Sequence, residues 1–405
     1  MDVSLIVVGG GIGGIATALA CARQGMKVRV LERASEFGEV GAGLQVGPNA
    51  WRILRDLGVV DGLREQVVLP TRWEMIDIYT GETISALRFG TEFTERYRAP
   101  YAVVHRGELL TALLEACQRT GRVHLIPGTE VVSVSQDEDS ATVQCADGST
   151  HTGTAIVAAD GLRSVVRRQL LDDRPPLVSP YVVYRGPGPR PADVDDAVML
   201  YVGDGIHYMQ YPVSGGTVLN RVVSFRSTAG EPGSAEWGTP EELHRRFAGT
   251  IPHVRSAVAE LDLSKRWPLC DRPPLAGWAQ GRITLLGDAA HPMQQYLAQG
   301  ACQALEDAIA LSDALRACPG DPAAAFKSFE NIRFPRVSSV QELTRFIGDF
   351  CHLGGAAVVL RDHFLSGLGA SDHYAYTDWL YGGPAKAPVL PPSIDMYAGA
   401  ATEVC

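Results

Sequence analysis

Leu5-Ile6-Val7-Val8-Gly9-Gly10-Gly11-Ile12-Gly13-Gly14, with an acid following at Glu32, decides how this chain begins to fold. Leu5 to Val8 is a short apolar run of the kind a buried strand needs. Ile15 to Gln24 repeats apolar residues at helical spacing, and Gly25 stops it. Lys27 to Leu31 is a second apolar strand, ending at Glu32. Strand, glycine turn, helix and strand within about 30 residues make a βαβ unit. Its glycines allow a tight turn, close approach of the backbone to a pyrophosphate, and close helix–strand contact. Glu32 stands where an acid accepts the 2′-hydroxyl of an unphosphorylated adenosine ribose, as in NAD or FAD.

Two distant segments narrow this. Ile283 to Leu286 is an apolar strand ending at Gly287-Asp288, and a small-residue turn through Gln299-Gly300-Ala301 then opens a helical pattern. A helix N-terminus leaves backbone N–H groups free for an anion or a polarised ring. Asp160-Gly161 likewise follows an apolar strand. Three separate pieces of chain converging in this way suggest a flavin, with chemistry at its ring. Between them lie a second glycine-rich loop (residues 41–50, with Gln45 and Val46) and a helix opened by Arg106.

From Glu130 to Ala159 the hydrophobic period becomes two. Val131 to Val134, Ala141 to Cys145 and Ala155 to Ala158 are predicted as three antiparallel strands. Residues 172–275, rich in proline, glycine and β-formers, suggest a separate sheet. Its strands are Val198 to Val202, His207 to Tyr211 and Arg221 to Ser227, with a helix at Pro240 to Phe247. A further helix is expected from about Ser338 to Cys351, and a loose C-terminal end. The expected fold class is α/β: a Rossmann-like domain with an inserted β-meander, and an α+β, sheet-based substrate domain. The expected division is 1–72, 101–171 and 276–350 for the first domain, 73–100 and 172–275 for the second, and 351–405 as a C-terminal segment.

At 405 residues the chain is too long for one ordinary core. Net charge is −10, which disfavours nucleic acid and anionic membranes as partners, since both need a cationic face. No stretch reads as a transmembrane helix or signal peptide. Eight scattered cysteines without a CxxC pair read as thiols of a reducing cytoplasm, with no disulfide framework and no metal site.

Taken together, these segments resemble the FAD-dependent aromatic monooxygenases of the para-hydroxybenzoate hydroxylase type, over nearly the whole length. The likeness is carried by residues 32–48 (ERASEFGEVGAGLQVGP), His207-Tyr208-Met209-Gln210-Tyr211-Pro212, Gln295-Tyr296-Leu297-Ala298 and Tyr376-Thr377-Asp378-Trp379-Leu380. Within the family it is greatest to the branch that converts 3-hydroxybenzoate to 2,5-dihydroxybenzoate (gentisate). The resemblance implies that Gly9, Gly11 and Gly14 approach the FAD pyrophosphate and Glu32 holds the ribose. Arg33, Gln45, Val46 and Arg106 would add FAD contacts. Asp160 would serve FAD and the reductant, Asp288 the ribitol, and Gly300 and Ala301 the flavin edge. It also implies NADH or NADPH as transient reductant, O2 as co-substrate adding at the flavin C4a, and a homodimer.

Attack on a phenol para to its hydroxyl needs a base, and His207 has the right chemistry because imidazole titrates near neutral pH. His207 and Tyr211 share one face of a strand by period two. With Tyr101 and Gln295 they form the expected substrate site. His291 reads as structural, and Arg167-Arg168 as solvated. Salicylate-hydroxylase-like members have Pro, Gly and Asn where this chain has Gln295, Ala298 and Cys302. An amide at 295 can hydrogen-bond a phenol or carboxylate where proline cannot. Salicylate 1-hydroxylation and tailoring of another aromatic stay open as alternatives. An NAD-dependent dehydrogenase and a non-catalytic flavin-binding module are the readings from other classes.

Overall fold

The computed structural model describes residues 4–38, 42–171 and 173–382. Its first layer is a six-stranded sheet in the order Ala279–Gln280, Ile283–Leu285, Ala155–Ala158, Ser4–Val8, Lys27–Leu31, Val123–Ile126. All of its pairings are parallel except that of the short edge strand Ala279–Gln280. Ala155–Ala158 therefore does not belong to the meander, where the sequence reading put it. It pairs in parallel with Ser4–Val8 and with Ile283–Leu285. Its four residues are all buried, as a strand covered on both faces must be. The third meander strand is Thr150–Gly153, whose polar residues gave no apolar alternation; it completes a three-stranded antiparallel sheet with Ala141–Cys145 and Val131–Gln136.

Helices Ile12–Arg23, Arg106–Thr120 and Gly300–Ala317 cover the parallel sheet. Gly14 lets the first of them lie close, because a Cβ there would sit 2.1 Å from the Gly9 carbonyl oxygen. Outside them runs Pro322–Cys351, a 30-residue helix with Pro335 in its interior. The helix expected from Ser338 is its second half. Proline lacks an N–H and interrupts the local signal, but tertiary packing carries the helix through it, with Phe326, Phe329, Val337 and Val340 fully buried.

The second layer is an eight-stranded sheet drawn from residues 72–88 and 177–271. Its order is Trp267–Asp271, Leu177–Arg185, Val218–Arg226, Ile206–Val213, Val198–Gly203, Arg72–Asp77, Thr83–Arg88, with Gly188–Pro189 on one side. Helices Pro240–Phe247 and Pro252–Ala259 close its far face over Tyr184, Tyr208 and Phe225. Its near face meets the first layer. There Gly43 donates to Asn220 Oδ1 at 2.7 Å, and a Cβ at Gly43 would collide with the Tyr211 ring. No single helix among the described residues is long and apolar enough to cross a membrane. The expected loose end after residue 382 lies outside the described residues.

Candidate active site

A cavity of about 620 Å³ runs from the C-terminal ends of the parallel strands to the near face of the large sheet. Two helix N-termini open into it. The Ile12–Arg23 helix begins after Gly11 and the Gly300–Ala317 helix after Gln299, and neither has a side-chain cap. Their first-turn N–H groups are left for a ligand. Gly161, at φ +78°, and Gly300 have only open space where a Cβ would stand. Glu32 Oε2 accepts from Gly10 N at 2.6 Å and its Oε1 from Ala34 N at 2.8 Å, which fixes the carboxylate at the rim.

Asp160 caps the following helix through one oxygen, which accepts from Val165 N at 2.8 Å. Its other oxygen is buried without a partner among the described residues. Burial pushes the Asp160 carboxyl up. Asp288 opens onto the cavity yet is enclosed by protein. That enclosure raises its carboxyl, and the Arg106 guanidinium draws it back. Paired N-termini, missing Cβ atoms, an orphaned carboxylate oxygen and Glu32 at the far end fit an elongated dinucleotide with a pyrophosphate in its middle.

Of the expected cofactor residues, Gly9, Gly11, Glu32, Arg33, Gln45, Arg106, Asp160, Asp288, Gly300 and Ala301 line the cavity. Gly14 and Val46 lie behind the wall. The Asp288 turn has a support that the sequence reading took for a solvated residue. Arg167 is 1 % exposed and donates to the carbonyls of Ala289 and Ala290 at 2.9 and 2.6 Å. Arg168 of the same pair is exposed. His291 points away from the cavity, 2.6 Å from Asp307.

The other end of the cavity is lined by His207, Met209, Tyr211, Arg185, Gln295 and Tyr296. Strand period two puts His207, Met209 and Tyr211 on one wall, as the sequence predicted. His207 is 3 % exposed, and burial pulls its imidazole down to about 4. Burial pushes the Tyr211 phenol up, so it is a neutral hydrogen-bonding group at neutral pH. Tyr101 does not line the cavity. Its hydroxyl donates to Gln45 Oε1 at 2.7 Å and its ring stacks on Phe89. It thus reaches the site through Gln45, whose Nε2 meets Met209 Sδ at 3.1 Å.

Arg185 was missed. It ends a β-rich run in a stretch read only for its strands, and nothing local marks it. Its Nη2 donates to Gln295 Oε1 at 2.9 Å. No carboxylate pairs with it among the described residues; burial pulls its guanidinium below the ordinary arginine pKa, with Tyr211 opposing and Arg106 adding to the shift. A guanidinium stays charged even so. Gln295 holds its oxygen to this cation and leaves Nε2 unpartnered. Beside it Ala298 is left-handed at φ 52°, a conformation glycine adopts without strain. The Cys302 thiol contacts the carbonyls of Gln45 and Ala298 at 3.7 and 3.6 Å, tying two cavity loops together.

Residues 2–342 match the FAD binding domain family. The chain is 40% identical to the 3-hydroxybenzoate 6-hydroxylase of Klebsiella oxytoca, covering 93% of this chain and 96% of that one. It is 38% identical to the enzyme of the same name from Polaromonas naphthalenivorans, over 94% and 96%. Among solved structures, the complex of Klebsiella pneumoniae HpxO with FAD and uric acid superposes with a TM-score of 0.83. Identity there is 27%, with 96% of this chain and 98% of that chain covered.

Proposed function

The chain belongs to the FAD-binding-domain family of flavin-dependent aromatic monooxygenases, and from that premise we propose that it hydroxylates 3-hydroxybenzoate para to the phenol, giving gentisate. One observation carries the substrate reading. A neutral imidazole and an uncompensated guanidinium, His207 and Arg185, line one end of a single cavity. A phenolic acid offers the proton the first accepts and the carboxylate the second requires.

The chemistry supplied by bound FAD is transfer of one atom of O2 to the ring at the expense of NADH or NADPH. Glu32 and Arg33 would hold its adenosine end, and the amides after Gly11 its pyrophosphate. Asp160, Arg106, Asp288 and the Gly300–Ala301 amides would hold the remainder. His207 takes the phenol proton and raises the electron density of the ring. Gln295 orients the substrate through its open Nε2 and orients Arg185 through its oxygen. Tyr211 donates to the substrate, and Tyr101 holds Gln45 against the same wall. Leu200, Met209 and Val222 make the enclosure apolar, which keeps water from the reacting atoms. We take residues 72–88 and 177–271 as the substrate part. The cytoplasm is the compartment we infer, on the support of seven free thiols among the described residues. A homodimer is the expected assembly.

The test is turnover of the purified, yellow protein with NADH, NADPH and O2. Gentisate from 3-hydroxybenzoate supports the proposal. Catechol and CO2 from salicylate, without gentisate, moves the enzyme to the 1-hydroxylase reading. Replacing Arg185 with Gln should raise KM for 3-hydroxybenzoate roughly 10–100-fold, the ~1.5–3 kcal/mol of a charge-assisted bond. The affinity for uncharged 3-hydroxybenzamide should change far less. Equal losses on both ligands would remove Arg185 from carboxylate recognition.

A further inference from the structure

His207 does not stand alone. Its Nδ1 lies 2.8 Å from Nε2 of His352, and both rings are buried, stacked at 5.0 Å. His352 follows the C-terminus of the Pro322–Cys351 helix, which crosses from the flavin part to the substrate sheet. Its ring is clamped: Tyr181 stacks on it at 4.1 Å and Tyr296 meets it edge-on at 5.4 Å. Gly205 N donates to the His352 carbonyl, and Gly348, one turn back, lets the Tyr296 ring lie against the helix. The remaining ring nitrogen, His352 Nδ1, is buried with no partner among the described residues. The chain then surfaces quickly, with Leu353 and Gly354 half-buried and Gly355 exposed.

A base that keeps the phenol proton would become a buried cation. Among the described residues no carboxylate hydrogen-bonds to either ring, and burial, then His207, then Arg361 on the neighbouring helix oppose a charge on His352. Asp204 lies against Gly354, and Asp349 acts on Tyr181 and Tyr296. Asp204 thus sits at the outer end, beside the turn that follows His352. An imidazolium at His207 is therefore a poor resting place, and the side chain that hydrogen-bonds to its ring is another imidazole.

We propose that His352 is the second member of a two-imidazole proton path between the substrate phenol and the surface turn 353–355. In the resting tautomers His207 carries its hydrogen on Nδ1 and donates to His352 Nε2, and His352 carries its hydrogen on Nδ1. The phenol O–H bond breaks and its proton joins His207 Nε2. The Nδ1 hydrogen of His207 passes to His352 Nε2. The Nδ1 hydrogen of His352 leaves to water at the turn. One proton exits and no electrons move. After hydroxylation the same path runs inward: water protonates His352 Nδ1, and His207 Nε2–H returns a proton to the product phenolate. His352 does not line the cavity, so it is a positioning and relay residue.

This inference rests on His207 acting as the base of the proposed reaction. The test compares FAD-loaded parent enzyme with His352→Gln, which retains a hydrogen-bonding partner for His207 without being able to carry a proton, and with His352→Ala. Flavin content and KM for the phenolic acid are expected within about twofold of the parent. Coupled hydroxylation should fall roughly 10-fold or more, with a larger solvent deuterium isotope effect and an altered pH profile. Added imidazole should restore rate to His352→Ala. Should the alanine variant fail to fold, His352→Gln alone decides through its rate and isotope effect. A parent-like rate, pH profile and isotope effect in His352→Gln would overturn the relay. Gentisate output of the parent tests the functional reading separately. The parent-to-variant ratio is measured on whichever phenol the parent hydroxylates.

Discussion

His207→Ala is expected to lower the rate of coupled hydroxylation by about 10²–10⁴-fold, the usual worth of a positioned general base, while FAD stays bound. The imidazole is placed by sheet register: Val202 lies opposite on one side and Ser224 on the other. His352 holds its Nδ1, which leaves Nε2 as the nitrogen for the cavity. Among the described residues no flavin-end residue hydrogen-bonds to its ring, so the loss should be chemical. Reductant consumption should continue, diverted to H2O2, because an un-ionised phenol is a poorer nucleophile.

The pH dependence follows from burial. Protonation of His207 is pushed down to about 4, against ~6.5 for a free imidazole. The base form is therefore fully present at neutral pH, and the acid limb of kcat/KM should fall near 4. Single-turnover formation of product, with flavin absorbance as the occupancy control, measures both. A variant retaining more than about a tenth of the parental rate would take His207 out of the role of base.

The second large effect concerns the buried charge network under the flavin turn. Arg333→Met should destabilise the fold by about 3–5 kcal/mol, the usual cost of leaving buried partners unpaired. Arg333 is 2 % exposed. Its guanidinium donates to Asp307 Oδ1 at 2.7 Å, Glu306 Oε2 at 2.6 Å and Gln303 Oε1 at 2.7 Å. Arg336 shares Glu306, while His291 and Gly287 N share the other oxygen of Asp307. Asn49, in the first turn of the helix Pro48–Asp56 that follows the glycine-rich loop, donates to Glu306 at 2.8 Å. One arginine thus joins the long helix to the Gly300 helix, the Gly287-Asp288 turn and the helix after the second loop. Flavin should be lost before the chain unfolds.

Burial opposes both carboxylates, but Arg333, Arg336 and His291 outweigh it and hold Glu306 and Asp307 at about 2. Their unfolded values are ~4. A depressed carboxyl stabilises the folded state fully above its unfolded value and loses that contribution as pH falls through its folded one. The network should therefore weaken between about pH 4 and pH 2. Chemical denaturation of Arg333→Met beside Arg316→Met measures the difference. The exposed Arg316–Asp313 pair should contribute no more than about 1 kcal/mol. Equal stabilities for the two variants would refute the argument.

The cofactor half of the molecule was legible along the chain because its signals are local. A glycine turn between an apolar strand and a helix acts through residues adjacent in sequence, and Gly9 to Gly14, Glu32, Asp160-Gly161 and Asp288 each carry their context with them. The His207–Tyr211 wall was legible for the same reason, since strand alternation alone puts those side chains together. Other features depended on partners far away. Ala155–Ala158 has the composition of either sheet, and only its two parallel neighbours decide which. Arg167 and Arg333 look like solvated charges until the carbonyls and carboxylates that enclose them are brought near by folding. Arg185 and His352 carry no motif at all. One matters because no acid among the described residues reaches it, the other because the residue after a 30-residue helix sets a ring nitrogen 2.8 Å from that of a strand histidine 145 residues earlier. Short-range sterics and periodicity determine the nucleotide-binding frame. Burial and charge compensation, which exist only once distant segments meet, decide which side chains at its far end can act on a substrate.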